Sequence, residues 1–474
     1  MAHTTFVRRR RSYLRSAFSR RGAILVLSAL LMVAMVGMLA FALDVGYMFH
    51  VRAEMQRSVD SGAMAGAGVL VNGQPAAEAE VYKFVALNKA GGKKLDSSKI
   101  TVQFGQWDSV ARQFTAGGNQ VPSAIKVFAT NPSQPFFFGR LFGMQSFTSQ
   151  ARATVTYLPR DIMLALDYSG SMCEDSQLGA IGKLGRSWVE DNLKTMYQEL
   201  GSPKYGKMKF KPEYISSTND ATVLSTLGLN GVPYPYPGGS WNDYVNFVQS
   251  DGDVSAAGYK KYYGYLTWMQ YLQTQQQSNS DTPDLWKTSE QPLSAVKDGV
   301  DLMLAYLQAN STNDRVGFSL YTAADNTAKL ENPLTKNYAG IATLARQRQA
   351  GHYVGGTNIY DGMKTARLEL QNNGRVGAKK MMVLMTDGKA NMPYVGNPSA
   401  LVLAEAQLAA AAQIAVVAIS LGSGADTSIM QSVADITGGK HFVIEGGQSV
   451  ADVEDQLKDV FEQVANTRPF KLVE

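Results

Sequence analysis

The chain has 474 residues, enough for two or three domains. Its 45% hydrophobic and 10% aromatic content excludes disorder as the default state. The formal net charge of +5 has one source: residues 1–22 hold seven arginines and no acid, and 45 less seven leaves 38 basic residues against 40 acidic. The body is therefore near neutral, and nucleic-acid binding by the folded part is not expected.

After this tail, residues 23–43 form a run of 21 residues without a charge, eleven of them Leu, Ile, Val or Phe. As a helix the run spans roughly 31 Å at about 1.5 Å per residue, the thickness of a hydrocarbon core. Its insertion is favourable by on the order of 5 kcal/mol. The arginines ahead of it place the N-terminus in the cytoplasm and residues from Asp44 onward outside it. Ala40-Phe41-Ala42 is similar to a signal-peptide cleavage site, but a signal core runs only about 7–15 residues, so a retained anchor is expected.

Beyond the anchor, Arg52, Glu54, Arg57 and Asp60 lead into the small-residue stretch Ser61–Gly68. Gly62 and Gly66 lie one turn apart and allow close backbone approach, either to a partner helix or to the chain's own next segment. The Arg20-Arg21-Gly22 entry, the anchor and the helix Asp44–Leu70 together resemble Tad-type (tight adherence) pilus-assembly proteins of the TadG kind. In the prepilin pattern a glutamate stands five residues after the glycine. Here that position is Leu27, which argues against prepilin-peptidase processing.

Residues 44–157 are expected to form a helix and a small α+β module. A helical stretch covers Ala76–Leu87, and strands are expected at 100–107, 113–115, 124–128 and 151–157, separated by Gly, Asn and Pro turns. Phe136-Phe137-Phe138 with Leu141, Phe142 and Phe147 is expected to fill the core of this module, with a partner-binding patch as the alternative.

From residue 158 to 474 apolar strands alternate with amphipathic helices. The strands are Ile162–Leu166, Val316–Tyr321, Lys380–Met385, Ile414–Ser420 and His441–Ile444; the helices are Pro292–Ala309, Asn358–Gln371, Ser399–Ala412, Thr427–Thr437 and Val450–Ala465. This order specifies an α/β class, a doubly wound, mostly parallel, Rossmann-like sheet covered on both faces. Ligands of such sheets sit beyond the strand C-termini at a switch point. Asp167 and Asp387 both fall at strand C-termini.

The residue types near these two acids suit a hard divalent cation. Ser169 and Ser171 share one tight loop, turned at Gly170, and Thr357 follows Gly355 and Gly356 on another. Magnesium prefers oxygen donors near octahedral geometry and retains waters. With Asp167 and Asp387 neutralising it directly or through water, the ion stays electrophilic enough to accept an outside carboxylate. The pattern Asp-x-Ser-x-Ser, with a remote Thr and a remote Thr-Asp-Gly, resembles the metal-ion-dependent adhesion site of von Willebrand factor type A (VWFA) domains. The resemblance implies Mg²⁺, with Mn²⁺ or Ca²⁺ as alternatives, contacted by Ser169, Ser171 and Thr357, and Asp167 and Asp387 often bridged through water.

The departure from that family is an insertion at about 173–288. It holds 11 of the chain's 22 tyrosines together with Trp241, Trp268 and Trp286. Lying beside the metal loop, it is expected over or near that face, either as an aromatic cap that selects partners or as a lobe packed on itself. Asp251-Gly252-Asp253 lacks the further ligands of a calcium loop. Cys173, the sole cysteine, excludes an intrachain disulfide and is expected to be semi-buried rather than reactive. The four histidines, widely spaced, do not suggest zinc.

These features lead to a single-pass protein of a bacterial inner membrane with periplasmic or extracellular C-terminal domains. It is expected to bind a protein partner that offers an Asp or Glu carboxylate, among pilus-assembly or envelope proteins. Two alternatives are a Mg-dependent phosphohydrolase using Asp167 and a structural scaffold with a vestigial metal site. The enzyme reading lacks the second carboxylate two residues on, where Ser169 stands.

Overall fold

The structure is a computed structural model. It describes residues 21–108, 111–117, 122–275, 282–310, 313–322, 328–353, 356–393, 396–444, 450–466 and 469–474. The chain divides into two compact units. Of the described residues, those from 21 to 117, Pro122–Thr156 and Lys471–Glu474 belong to one, and those within Tyr157–Phe470 to the other.

The first unit begins with α1 (Arg21–Val69), 49 residues in one unbroken helix. Its N-terminal half is apolar all round and faces outward, with Leu25, Val33, Leu39 and Phe41 each more than 60% exposed. By length and mean hydropathy, 2.7 in its most apolar window, it can cross a membrane. The C-terminal half changes character. Val51, Met55, Val59, Ala63 and Ala67 recur every fourth residue and are buried, the pattern of a helix with one apolar stripe. That stripe packs on α2 (Gln74–Leu87), whose Ala77, Val81 and Val85 are buried in turn.

Gly62 and Gly66 sit in this seam. A β-carbon on either would come within 2.5 Å of a Val85 or Val81 methyl group. The close approach that these glycines allow is therefore intramolecular, to α2.

A five-stranded sheet completes the unit: β1 (Ile100–Asp108), β2 (Gln113–Ala116), β3 (Ala124–Pro135), β4 (Ser146–Tyr157) and β11 (Phe470–Leu472), in the order β11-β4-β3-β1-β2. The chain's last residues close it, Thr154 N–H donating to the Glu474 carbonyl at 2.9 Å. The phenylalanine cluster corrects an expectation. Phe147 is buried, but Phe137, Leu141 and Phe142 are 62%, 81% and 71% exposed at the tip of the β3–β4 hairpin. They do not fill the module's core.

The second unit is built on a six-stranded sheet: β5 (Arg160–Asp167), β6 (Arg315–Tyr321), β7 (Ala328–Thr335), β8 (Lys379–Thr386), β9 (Ala415–Leu421) and β10 (Lys440–Ile444). The order is β7-β6-β5-β8-β9-β10, parallel throughout except for β7, which pairs antiparallel to β6 at one edge. Side chains alternate across the sheet, and β5 feeds both cores. Ile162, Leu164 and Leu166 pack in one core with α7 (Leu293–Ala309), α8 (Tyr338–Arg346) and α12 (Val450–Asn466); Met163 and Ala165 pack in the other with α9 (Ile359–Asn373), α10 (Pro398–Ala411) and α11 (Thr427–Thr437). Both faces are covered, as a continuous apolar strand requires.

At the N-terminal end of β5 the fully buried Arg160 bonds Asp314 at 2.8 Å. It also donates to the Val464 and Ala465 carbonyls at 2.7 and 3.0 Å, closing the last turn of α12.

The insertion folds as a helical lobe with its own core. Its main elements are α3 (Arg186–Glu199), α4 (Asp220–Thr226), α5 (Trp241–Ser250) and α6 (Tyr265–Thr274). Trp268, Tyr244, Tyr263 and Tyr271 are buried at its centre, in a cluster separate from both cores of the sheet. Of the two roles open to its aromatics, these residues take the self-packed one. Asp251 caps the short turn after α5 by accepting from Val254 N–H, rather than opening a cation loop.

Candidate metal centre

The strand order decides where the site lies. The chain moves outward from β5 through β6 to β7, then returns to the other side of β5 as β8. The connections leaving β5 and β8 therefore diverge, and a crevice opens beyond their C-termini. Leu166 pairs with Met385 in that register, so Asp167 and Asp387 come from neighbouring strands at one sheet edge.

Asp167 is fully buried. One carboxylate oxygen accepts from Ser169 N–H at 2.9 Å and the other from the Thr386 hydroxyl at 2.8 Å. The chain then turns tightly into a 3₁₀ segment, Gly170–Ser176, which sets two hydroxyls side by side: Ser169 Oγ and Ser171 Oγ are 2.9 Å apart. Ser171 Oγ donates to Asp387 Oδ1 at 2.8 Å.

Thr357 arrives from a third segment. Its N–H donates to Asn391 Oδ1 at 2.8 Å, and its carbonyl accepts from Asn391 N–H at 3.2 Å. Its hydroxyl lies 3.1 Å from where a β-carbon on Gly388 would stand, so the loop closes on the Asp387 turn. Gly356 permits this, because a β-carbon there would come within 2.2 Å of Asn391 Oδ1. Gly355, singled out with it, lies outside the described residues.

The structure thus brings Asp167, Ser169, Ser171, Thr357 and Asp387 together from three separate stretches. Ser171, Thr357 and Asp387 line a cleft of about 720 Å³, whose further walls include Glu174, Lys183 and Asp253 of the insertion. Gly424 adds a close approach from the loop after β9; a β-carbon there would meet the Asp387 carbonyl at 2.6 Å. Among the described residues no cluster of three or more His, Cys, Asp or Glu side chains forms a metal site, so any cation here depends on the hydroxyls.

The electrostatics of the pair follow from burial. Desolvation pushes the Asp167 carboxyl up to about 6, against the hydrogen bonds from Ser169 and Thr386 that favour its anion. Asp387 is raised well above the ordinary carboxylate range, first by burial and then by the charge of Asp167. Cys173 is buried, its thiol 3.2 Å from the Gly170 carbonyl, and burial raises it as well. A thiol so held is not poised to react.

Two residues of the site were not singled out from the sequence. Thr386 was visible only as the first letter of Thr-Asp-Gly, where it reads as a strand end. Asn391 gave no signal, because its role depends on a loop 34 residues away in sequence.

With this geometry in place, the family matches are specific. Residues 22–69 match the Flp pilus-assembly TadE/G-like family and residues 65–154 the Tad-like Flp pilus-assembly family. Residues 286–463 match the von Willebrand factor type A domain. The chain is a TadG-like Flp pilus protein with a C-terminal VWFA domain. The VWFA match begins at 286 because the insertion separates β5 and the Ser169–Ser171 loop from the rest of the sheet. As a TadG-like protein it has an adhesion or pilus-assembly role, protein partners and a membrane association.

A comparison with curated proteins returns no match. Solved structures similar to the chain include the SpRpn10 VWA domain, at 17% identity over 36% of this chain and 82% of that one, TM-score 0.28. The pilus adhesin SpaC from Lactobacillus rhamnosus GG matches at 12% identity over 77% of this chain and 34% of its own, TM-score 0.32. A point mutant of the PilB minor pilin from Streptococcus sanguinis matches at 10% identity over 78% of this chain and 88% of its own, TM-score 0.34. At these identities the assignment rests on the sequence matches.

Proposed function

We propose that the protein captures a partner's Asp or Glu carboxylate through a divalent cation held at the β5–β8 crevice, in Tad-type pilus assembly or surface adhesion. Mg²⁺ is the best-suited ion, with Mn²⁺ or Ca²⁺ as alternatives. Ser169, Ser171 and Thr357 would supply hydroxyl oxygens; Asp167 and Asp387 would supply charge, directly or through water.

One observation carries the reading: the Ser171 hydroxyl and the Asp387 carboxylate, joined at 2.8 Å, lie on the wall of an open cleft, and the buried Ser169 hydroxyl stands 2.9 Å behind Ser171. The donor set fits a small, hard cation, and two carboxylates whose anions are disfavoured by burial and by each other are those a cation stabilises most. A bound ion would polarise an incoming carboxylate at the open position. The bilayer served would be the bacterial inner membrane, with the VWFA domain on its outer side.

Asp167 is a poor candidate for a phosphohydrolase nucleophile, since it is fully buried with both oxygens engaged. Pulldown from solubilised membranes with the full-length protein tests the proposal. Capture in Mg²⁺, release by chelator and loss in Ser171→Ala are expected. Capture of the same partner in chelator would contradict it.

A further inference from the structure

The hairpin tip left exposed in the first unit has a feature that an ordinary surface loop lacks. Asp44, the first charged residue after the apolar run of α1, is only 5% exposed. Its carboxylate accepts from three successive backbone N–H groups of that tip: Phe137 at 2.8 Å, Phe138 at 3.1 Å and Gly139 at 2.6 Å. Tyr47, on the same helix, packs edge-on against Phe137 with ring centroids 4.8 Å apart. The loop is thus fixed to α1 at the point where the helix ceases to be apolar.

The direction of the hairpin follows from its contacts. Gln56 donates to the Arg152 carbonyl at 2.8 Å, whereas Tyr47, nine residues earlier, meets Phe147. So β4 runs alongside α1 away from the apolar half. The tip that precedes it, Phe136–Gln145, closes the end of the sheet on the apolar side. Ala40, one turn before Asp44 on the same helix face, is 7% exposed, while Leu39 and Phe41 beside it are 61% and 69% exposed. The loop therefore reaches back along the apolar run, with Leu141, Phe142 and Met144 exposed and Arg140 among them.

We propose that this tip is embedded in the outer interface of the bilayer, with Phe137, Leu141 and Phe142 among the upper acyl chains and Arg140 at the level of the phosphates. The occupant of the apolar surface is lipid because the surface is continuous with that of the spanning helix. An aromatic and aliphatic edge with a basic residue is also the composition that the interface accepts. Two points of attachment would fix the tilt and rotation of the first unit on the membrane, which a single helix leaves free. The inference rests on α1 spanning the bilayer and is independent of any metal.

The full-length protein in lipid nanodiscs tests it by site-directed spin labelling. Cys173 is buried, and labelling of the unmodified protein provides the blank. Labels at Leu141→Cys and Phe142→Cys are expected to be relaxed more by oxygen, which partitions into lipid, than by a water-soluble nickel chelate. Val33→Cys in α1 is the lipid reference and the fully exposed Val376→Cys the aqueous one. Chelate accessibility at 141 and 142 equal to that at 376 would overturn the proposal if Val33→Cys still reads as lipid. If Val33→Cys reads as aqueous, the spanning helix itself is wrong and the proposal falls with it. Dipolar broadening between labels at 142 would assign the patch to a second copy of the chain and likewise overturn it.

Discussion

Ser171 Oγ and Asp387 Oδ1 meet at 2.8 Å across 216 residues of chain, joining the loop after β5 to the turn after β8. Neither residue has a local reason to be there: both leave their strands at the one point where the winding reverses. Nearby, Asp167 is buried against Thr386, so two carboxylates of one small site share a poorly solvated wall.

Removing one of those charges is expected to stabilise the metal-free protein while disabling it. Asp387→Asn keeps the shape and removes the repulsion on Asp167, so in chelator its melting temperature should exceed the parent's. A gain on the order of 1 kcal/mol corresponds to about 2–4 °C in a domain of this size. The same variant should lose the Mg²⁺-dependent rise that the parent shows. A lower melting temperature in chelator would show that Asp387 is held by its hydrogen bonds rather than strained by its neighbour.

The pH dependence has a defined sign. Asp167 titrates at about 6 in the fold and at an ordinary 3.8 when unfolded, so the folded state binds its proton more tightly. Its contribution to stability is complete below the unfolded value and disappears as pH rises through about 6. Chelated protein should therefore melt progressively lower between about pH 4 and 7. Saturating Mg²⁺ should flatten the profile by favouring the anion. Parallel profiles with and without metal would count against a cation at this carboxylate.

Asn391 is a positioning residue for Thr357 and can be separated from the site's charge. Asn391→Ala leaves the Thr357 N–H without its 2.8 Å acceptor; Gly356→Ala drives a β-carbon into the same amide oxygen. Either should weaken Mg²⁺ affinity about tenfold or more, the consequence of about 1.4 kcal/mol lost at one ligand. Calorimetric Mg²⁺ titration should also show the parent stoichiometry. Unchanged affinity in both variants would remove Thr357 from the ligand set.

The glycine seam of the first unit makes a separate claim. Gly66→Val places bulk where a single β-carbon already lies 2.5 Å from a Val81 methyl group and 3.0 Å from the Ala77 carbonyl. Overpacking of this kind costs about 1–3 kcal/mol. Proteolysis of the purified protein should open the α1–α2 region in Gly66→Val and leave the VWFA domain resistant. Normal resistance throughout, with altered self-association, would favour an intermolecular role for that helix face.

Much of this fold is legible because its physics is local. The runs at 162–166 and 381–385 are apolar on both faces, and at that length such a run suits a strand covered on both sides. The Asp-x-Ser-x-Ser loop and the Thr-Asp-Gly turn announce themselves by residue type and by lying just after those strands. Strand β7 is not legible in this way. Ala328–Thr335 carries charged residues and Pro333, and it holds its place as an antiparallel edge beside a register shift in β6, where a proline is tolerated. The insertion's helices are equally obscure, because their apolar residues answer to a compact aromatic cluster rather than to one helical stripe. The phenylalanines at 137 and 142 misled for a related reason: an apolar run marks removal from water, and burial in a core is one way among several to achieve it.

Manganese binding gives the sharpest test of the candidate site. Mn²⁺ substitutes for Mg²⁺ at oxygen sites, and its free ion is counted directly by paramagnetic resonance. Titrated into the chelator-stripped full-length protein, it should be taken up at a single saturable site per chain. That uptake should be abolished by Ser171→Ala combined with Thr357→Val, in protein that still melts cooperatively. Free Mn²⁺ unchanged by the parent protein, or undiminished uptake in the double variant, would remove the cation from the β5–β8 crevice.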